Sequence, residues 1–171
     1  MVADTRQTLI AVVDDATKQL LYAQLVAGGE SLAAILTALR TVVEQHGIPG
    51  ALYTDRAGWA VYTPTSGTAP DRRKRTQVGQ AVARLGIEHI VSFSPQARGR
   101  SERANGTLQG RLVNELHLAD LTTVAAANAY LTERFIADYN DEFARPPTPR
   151  APSFPCTASS SIASPASPPR G

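Results

Sequence analysis

Two apolar runs joined by a link too short to hold a helix constrain this chain more than any other feature. T-L-I-A-V-V from Thr8 to Val13 is apolar and β-branched, Asp14-Asp15-Ala16-Thr17 is a polar turn, and L-L-Y-A-Q-L-V from Leu20 to Val26 returns. Runs of this length and composition read as strands, and strands connected so tightly pair antiparallel as a hairpin.

The rest of the first 145 residues alternates helix and strand patterns. Ser31 caps a helix whose apolar positions Leu32, Ile35, Leu36, Leu39 and Val43 follow helical spacing, and His46-Gly47-Ile48-Pro49 stops it. A-L-Y-T from Ala51 to Thr54 is a short buried strand that delivers Asp55 at its C-terminal end. Turn formers dominate Arg56 to Arg75, a surface loop carrying the basic cluster Arg72-Arg73-Lys74-Arg75. Thr76 opens a helix with Val78, Val82 and Leu85, and H-I-V-S-F from His89 to Phe93 is a further strand. A long helix runs from about Gly99 to Leu118 with Leu108, Leu112, Val113 and Leu116 as its apolar stripe, and a last helix covers Val124 to Asn140. This order predicts a mixed sheet with helices packed against it.

Beyond Arg145 the residues are dominated by Pro, Ser and Ala, and 146–171 read as a disordered tail that buries too little apolar surface to offset its ordering entropy. That leaves 1–145 as the folded unit. A chain of 171 residues with 43% hydrophobic residues suits one domain with a real core. No run approaches the ~18 apolar residues of a membrane span, and no basic-then-apolar leader opens the chain, so the expected location is the cytoplasm. The single cysteine, Cys156, excludes an internal disulfide and reads as an incidental thiol. A net charge of +2 permits nucleic-acid binding without arguing for it, so local clusters must carry that argument.

Two segments carry more specific information. L-Y-T-D-R-A-G-W around Asp55 resembles the second-aspartate motif of DDE-type transposase and retroviral-type integrase catalytic cores. S-P-Q-A-R-G-R-S-E-R-A-N-G-T-L-Q around Glu102 is similar to their third-acid motif. V-V-D-D-A-T-K-Q-L-L resembles the second strand and hairpin of these cores, and D-Y-N at Asp138-Tyr139-Asn140 a stretch in the helix after the catalytic one. The matches cover roughly residues 8 to 145 in the right order, and bacterial insertion-sequence transposases look nearest.

The resemblance implies an RNase H-like fold and metal-dependent DNA cleavage and strand transfer, the chemistry of DNA transposition, integration and recombination. Asp55 and Glu102 would be catalytic residues and ligands of Mg²⁺ or Mn²⁺, because two divalent cations held by carboxylates activate the attacking oxygen and stabilise the leaving one. Arg98, Arg100, Arg103, Asn105 and Arg111 around the Glu102 helix, with Arg72, Arg73, Lys74 and Arg75, would contact DNA. Plainer roles stand beside these. A glutamate early in a helix suits the macrodipole, an aspartate after a strand builds turns, and arginines on helices are commonly solvated. His46, His89 and His117 match no ligand spacing, and Trp59 reads as packing.

The pattern also breaks. The family places its first catalytic aspartate on a strand upstream of the hairpin, and this chain is expected to lack that strand. Asp14 is a weak substitute, expected to serve the turn, and Asp4 a weaker one. Missing one acid of three should abolish activity, since such residues act as a unit, and a missing strand should expose a sheet edge. The helix-turn-helix and small β-rich domains that commonly flank such cores are likewise expected to be absent, and a frameshifted reading frame would explain the tail. The expectation is therefore a core fragment inactive alone, the alternative being a non-catalytic remnant that binds DNA, self-associates or joins full-length transposase.

Overall fold

The computed structural model describes residues 7–64, 71, 74–91, 95–146 and 155–163, with the backbone alone for 95–105 and 155–163. The two runs that open the chain form the expected hairpin, β1 (Gln7–Asp14) and β2 (Leu20–Ala27), paired antiparallel. Its turn is built by Asp14. The carboxylate accepts from Ala16 N (3.0 Å) and Thr17 Oγ1 (2.6 Å), while Lys18 takes a left-handed φ of 62°. A register shift between Val12 and Val13 marks a bulge beside this turn.

α1 (Leu32–His46) is capped by Ser31, whose hydroxyl accepts from Ala34 N at 3.1 Å, and ends at Gly47 with φ 88°, a conformation that favours glycine. β3 (Ala51–Thr54) leads through the loop bearing Asp55 to α2 (Gln77–Arg84), capped by Thr76. β4 (Glu88–Val91) pairs parallel with β3 and leads to α3 (Pro95–Leu118). The last helical pattern is one rod in three parts, α4 (Val124–Tyr130), a π-helical turn (Leu131–Phe135) and α5 (Ile136–Phe143).

The tail departs from expectation. Within residues 146–171, which composition marks as disordered, Pro155–Ala163 forms a strand, β5, in the middle of a five-stranded sheet of order β2-β1-β5-β3-β4. It runs antiparallel to β1 along the whole of Gln7–Asp14 and parallel to Ala51–Tyr53 of β3. The open edge expected at β1 is therefore covered. Composition misleads here because a strand set between two others draws on backbone pairing with both, which local propensity does not register.

Alternation along β1 divides the core. Ile10 and Val12 pack with Leu52, Val78, Val82 and the α1 side chains Ile35, Ala38, Leu39 and Val42 on one face. Leu9 and Ala11 pack with Leu108 and Leu112 of α3 and with Ala127, Leu131, Phe135 and Tyr139 on the other. The result is three layers, helices on both faces of the sheet. Phe135 and Leu131 are fully buried, and each such side chain stabilises the fold by roughly 1.5–3 kcal/mol.

The outer edge of β2 is closed by two asparagines. Asn128 accepts from Leu25 N (2.7 Å) and donates to Leu25 O (2.9 Å), and Asn140 makes the same pair with Leu20 (2.7 and 3.1 Å). On a regular α-helix positions 128 and 140 would lie about 120° apart. The π-helical turn absorbs one residue and brings them within about 20°, so both amides reach one strand. Replacing Asn140 with Ala leaves the Leu20 N–H and C=O without these partners and should cost about 1–3 kcal/mol in urea unfolding. Asn140→Asp, which keeps an acceptor but loses the donor, should fall between Ala and wild type.

Candidate functional site

β3 decides where Asp55 sits. Leu52 packs in the α1/α2 layer, so alternation sends Ala51, Tyr53 and the following Asp55 toward the layer that holds α3. Asp55 is exposed, and its Oδ1 accepts from Ala57 N at 3.0 Å, an Asx turn that starts the next loop. Backbone bonds from Ala60 and Val61 to Ala57 O continue that turn. Trp59 anchors it, packing against the α1/α2 core while its indole N–H donates to the Glu30 carboxylate. The plain packing role expected of Trp59 thus includes a polar tie to the β2–α1 junction.

Thr54 and Val91 stand side by side in the parallel β3–β4 pair, so the chain leaves β4 at the same end of the sheet as Asp55. From there it enters α3, whose later turns hold Leu108 and Leu112 against the face toward which Asp55 alternates. Glu102 belongs to the early part of that helix, about two turns from Pro95, and Asn105 is nearly one turn further. Arg98, Arg100 and Arg103 share this stretch; for all five residues only the backbone is described. The two predicted acids thus follow strands that end side by side, Asp55 directly after β3 and the Glu102 segment on the helix after β4, whose later turns pack on the face toward which Asp55 alternates.

Asp14 is elsewhere. It is level with Cys156, which is level with Leu52, so it lies three residues short of Asp55 along the sheet and two strands away, on the order of 14 Å between Cα atoms. Val13 packs on the α3 face, which turns Asp14 to the opposite one, and both its carboxylate oxygens serve the hairpin turn. The structure gives it the turn role expected above. Among the described residues no group of three or more His, Cys, Asp or Glu side chains is placed to hold a metal.

The basic residues divide. Arg72, Arg73 and Asp4 lie outside the described residues. Lys74 and Arg75 are exposed before α2, with Lys74 Nζ 4.0 Å from the Tyr62 ring centroid. Arg111 is engaged within the fold. Its guanidinium bonds Glu115 at 2.6 Å, bonds Glu142 of α5, and lies over the Phe135 and Phe143 rings. Two carboxylates and two ring faces tie it to the packing of α3 on α5, a tertiary arrangement that charge in the sequence does not disclose.

Comparison with known proteins bears on these placements. The chain is 36% identical over 140 residues to "Putative transposase y4bF" of Sinorhizobium fredii, covering 82% of this chain and 30% of that protein. It is 34% identical over 131 residues to "Transposase for insertion sequence IS1202" of Streptococcus pneumoniae, covering 77% and 28%. It is a homologue of transposases. The chain spans under a third of the length of these curated relatives. No family model and no solved structure matches it. Among the described residues, no helix of this transposase homologue is long and apolar enough to cross a membrane.

One site next to Asp55 escaped the sequence. His89 Nε2 lies 2.9 Å from Thr54 Oγ1, joining β4 to β3 one residue before Asp55, and burial lowers the His89 pKa below its ordinary value of about 6.5. The unfolded chain therefore binds a proton on this imidazole at higher pH than the folded one. Stability from this group is complete above about pH 6.5 and falls as pH drops below it toward the lowered folded-state pKa. Urea midpoints should decline between pH 7 and 5, and His89→Gln should flatten that decline.

Proposed function

We propose that this chain acts in DNA transposition as an RNase H-like catalytic-core segment of the DDE type. It contributes the second and third acids, Asp55 and Glu102, and binds DNA without cutting or joining it unaided. The observation that carries the reading is that β3 and β4 end side by side, Asp55 following one and the helix that bears Glu102 following the other. Homology to transposases over 82% and 77% of the chain supports it. The order of motifs along the chain also supports it, since the two acidic motifs follow β3 and β4, which topology makes neighbours.

Asp55 and Glu102 would hold Mg²⁺ or Mn²⁺, and the donor chemistry fits, because hard cations take oxygen ligands and Mg²⁺ is often held by one or two carboxylates plus water and phosphate. Bound there, such an ion activates an attacking oxygen and stabilises the leaving oxygen of a phosphodiester. The chain's own part is to present Asp55 at an open strand end, fixed by the Ala57 and Trp59–Glu30 bonds. Exposed Lys74 and Arg75 supply positive charge before α2, joined by the arginines of early α3. The first acid of the three is expected to be missing from this chain. Asp14 faces away, and P-C-T-A-S-S-S-I-A of β5, the strand beside β3, contains no carboxylate. A site deprived of one member of an acting unit loses most of its activity.

On a labelled duplex, retardation should weaken steeply with salt. Lys74→Ala combined with Arg75→Ala should lower the slope of log affinity against log salt by about 0.9 for each phosphate that the variant no longer neutralises. With Mg²⁺ or Mn²⁺, nicking and strand transfer should not exceed those of Asp55→Asn and Glu102→Ala. Activity that is abolished by Asp55→Asn and equally by Asp14→Asn would overturn the unaided-inactive reading.

A further inference from the structure

We propose that the slot between β1 and β3 is a strand-acceptor site and that residues 155–163 of a second copy of this chain fill it in exchange for the chain's own β5. Such exchange does not depend on whether the chain acts on DNA. β1 and β3 do not touch as strands; each pairs with β5, which bridges them. The slot is lined by buried chain, with Leu9, Ile10, Ala11 and Val12 each 1% exposed and Leu52 0%. Backbone N–H and C=O groups left unpaired at such depth cost as much as lost hydrogen bonds, so an empty slot captures any strand able to run antiparallel to β1 and parallel to β3.

The strand that fills it is poorly individualised. P-C-T-A-S-S-S-I-A sets Cys156, Ala158 and Ile162 against Thr157, Ser159 and Ser161 at alternate positions, but these are mostly small residues, so much of its hold comes from main-chain pairing with β1 and β3, which is the same whichever copy provides the strand. Strands of this kind are prone to slippage and swapping. β5 is also the last element described, and no later described element packs over it. Before it, Arg145 N donates to Thr17 O at 2.7 Å, which pins the connection at the hairpin turn, the end of the sheet where Cys156 stands level with Asp14. Exchange of an identical element between chains is a low-cost route to a dimer.

The adjacency of Asp14 and Cys156 provides the test, since cross-strand neighbours in an antiparallel pair lie within reach of a disulfide. Asp14→Cys is equilibrated at low and high chain concentration and then oxidised, and peptide mapping locates the bond between the introduced thiol and Cys156, the natural chain's single cysteine. Exchange predicts that this bond is within one chain at low concentration and increasingly between two chains at high concentration. Only intrachain bonds at every concentration, or no such bond at all, overturn the proposal.

Should Asp14→Cys fail to fold, the natural chain is mixed with a synthetic peptide of residues 153–165 carrying Cys156→Ser. Exchange predicts a one-to-one complex in native mass spectrometry and alkylation of the chain's Cys156 accelerated roughly tenfold as its strand is released. Ala158→Pro with Ser160→Pro in the peptide, removing two donors, should abolish both effects. A natural peptide that forms no complex and leaves alkylation unchanged overturns the proposal.

Discussion

Backbone pairing of β5 with β1 on one side and β3 on the other joins the two halves of the sheet, which among the described residues have no other strand-to-strand connection. The hairpin of β1 and β2 is made locally, by a turn whose hydrogen bonds begin and end within Asp14–Gln19. The parallel pair β3 and β4 is made through α2. Each half presents a row of buried donors and acceptors to the other, and neither row is satisfied until the last described strand of the chain arrives. Closure of the sheet is therefore a long-range event, and it fixes the distance between the hairpin and the end of β3 where Asp55 stands.

The β2 edge of that sheet is treated differently from its centre. At β2, Asn128 and Asn140 mimic a further strand, each amide giving and taking one bond at a single leucine. Such edge protection blocks pairing with other chains, and it depends on the π-helical turn to bring the two amides into phase. At the centre, the occupant is a segment of mostly Ser, Ala and Thr, with small residues at most positions. A protected outer edge beside a lightly specified central strand favours exchange at the centre over accretion at the rim.

The placement of the candidate acids follows from the same frame. Alternation in β3 turns Asp55 toward the α3 layer, and alternation in β1 turns Asp14 away from it. A sheet has two faces and two ends, so two aspartates that look equivalent in sequence, each following an apolar run, meet different surroundings. The guanidinium of Arg111 shows the same limit, since a basic residue on a helix otherwise read as DNA-facing becomes a tie between α3 and α5 once Glu142 and two aromatic rings are folded against it.

Local patterns alone determined the hairpin, the Ser31 and Thr76 caps, the order of helices and strands over the first 145 residues, and the two acidic motifs, because each rests on periodicity, turn chemistry or a motif confined to neighbouring residues. What tertiary structure alone decided is the fate of residues whose partners are remote. These are the insertion of Pro155–Ala163 into the sheet, the edge-closing role of Asn128 and Asn140, the His89–Thr54 bond and the tying of Arg111 between helices. The reason is physical. Backbone pairing between distant strands is nearly blind to side-chain identity, and composition, which measures side chains, therefore read the central strand as a disordered tail.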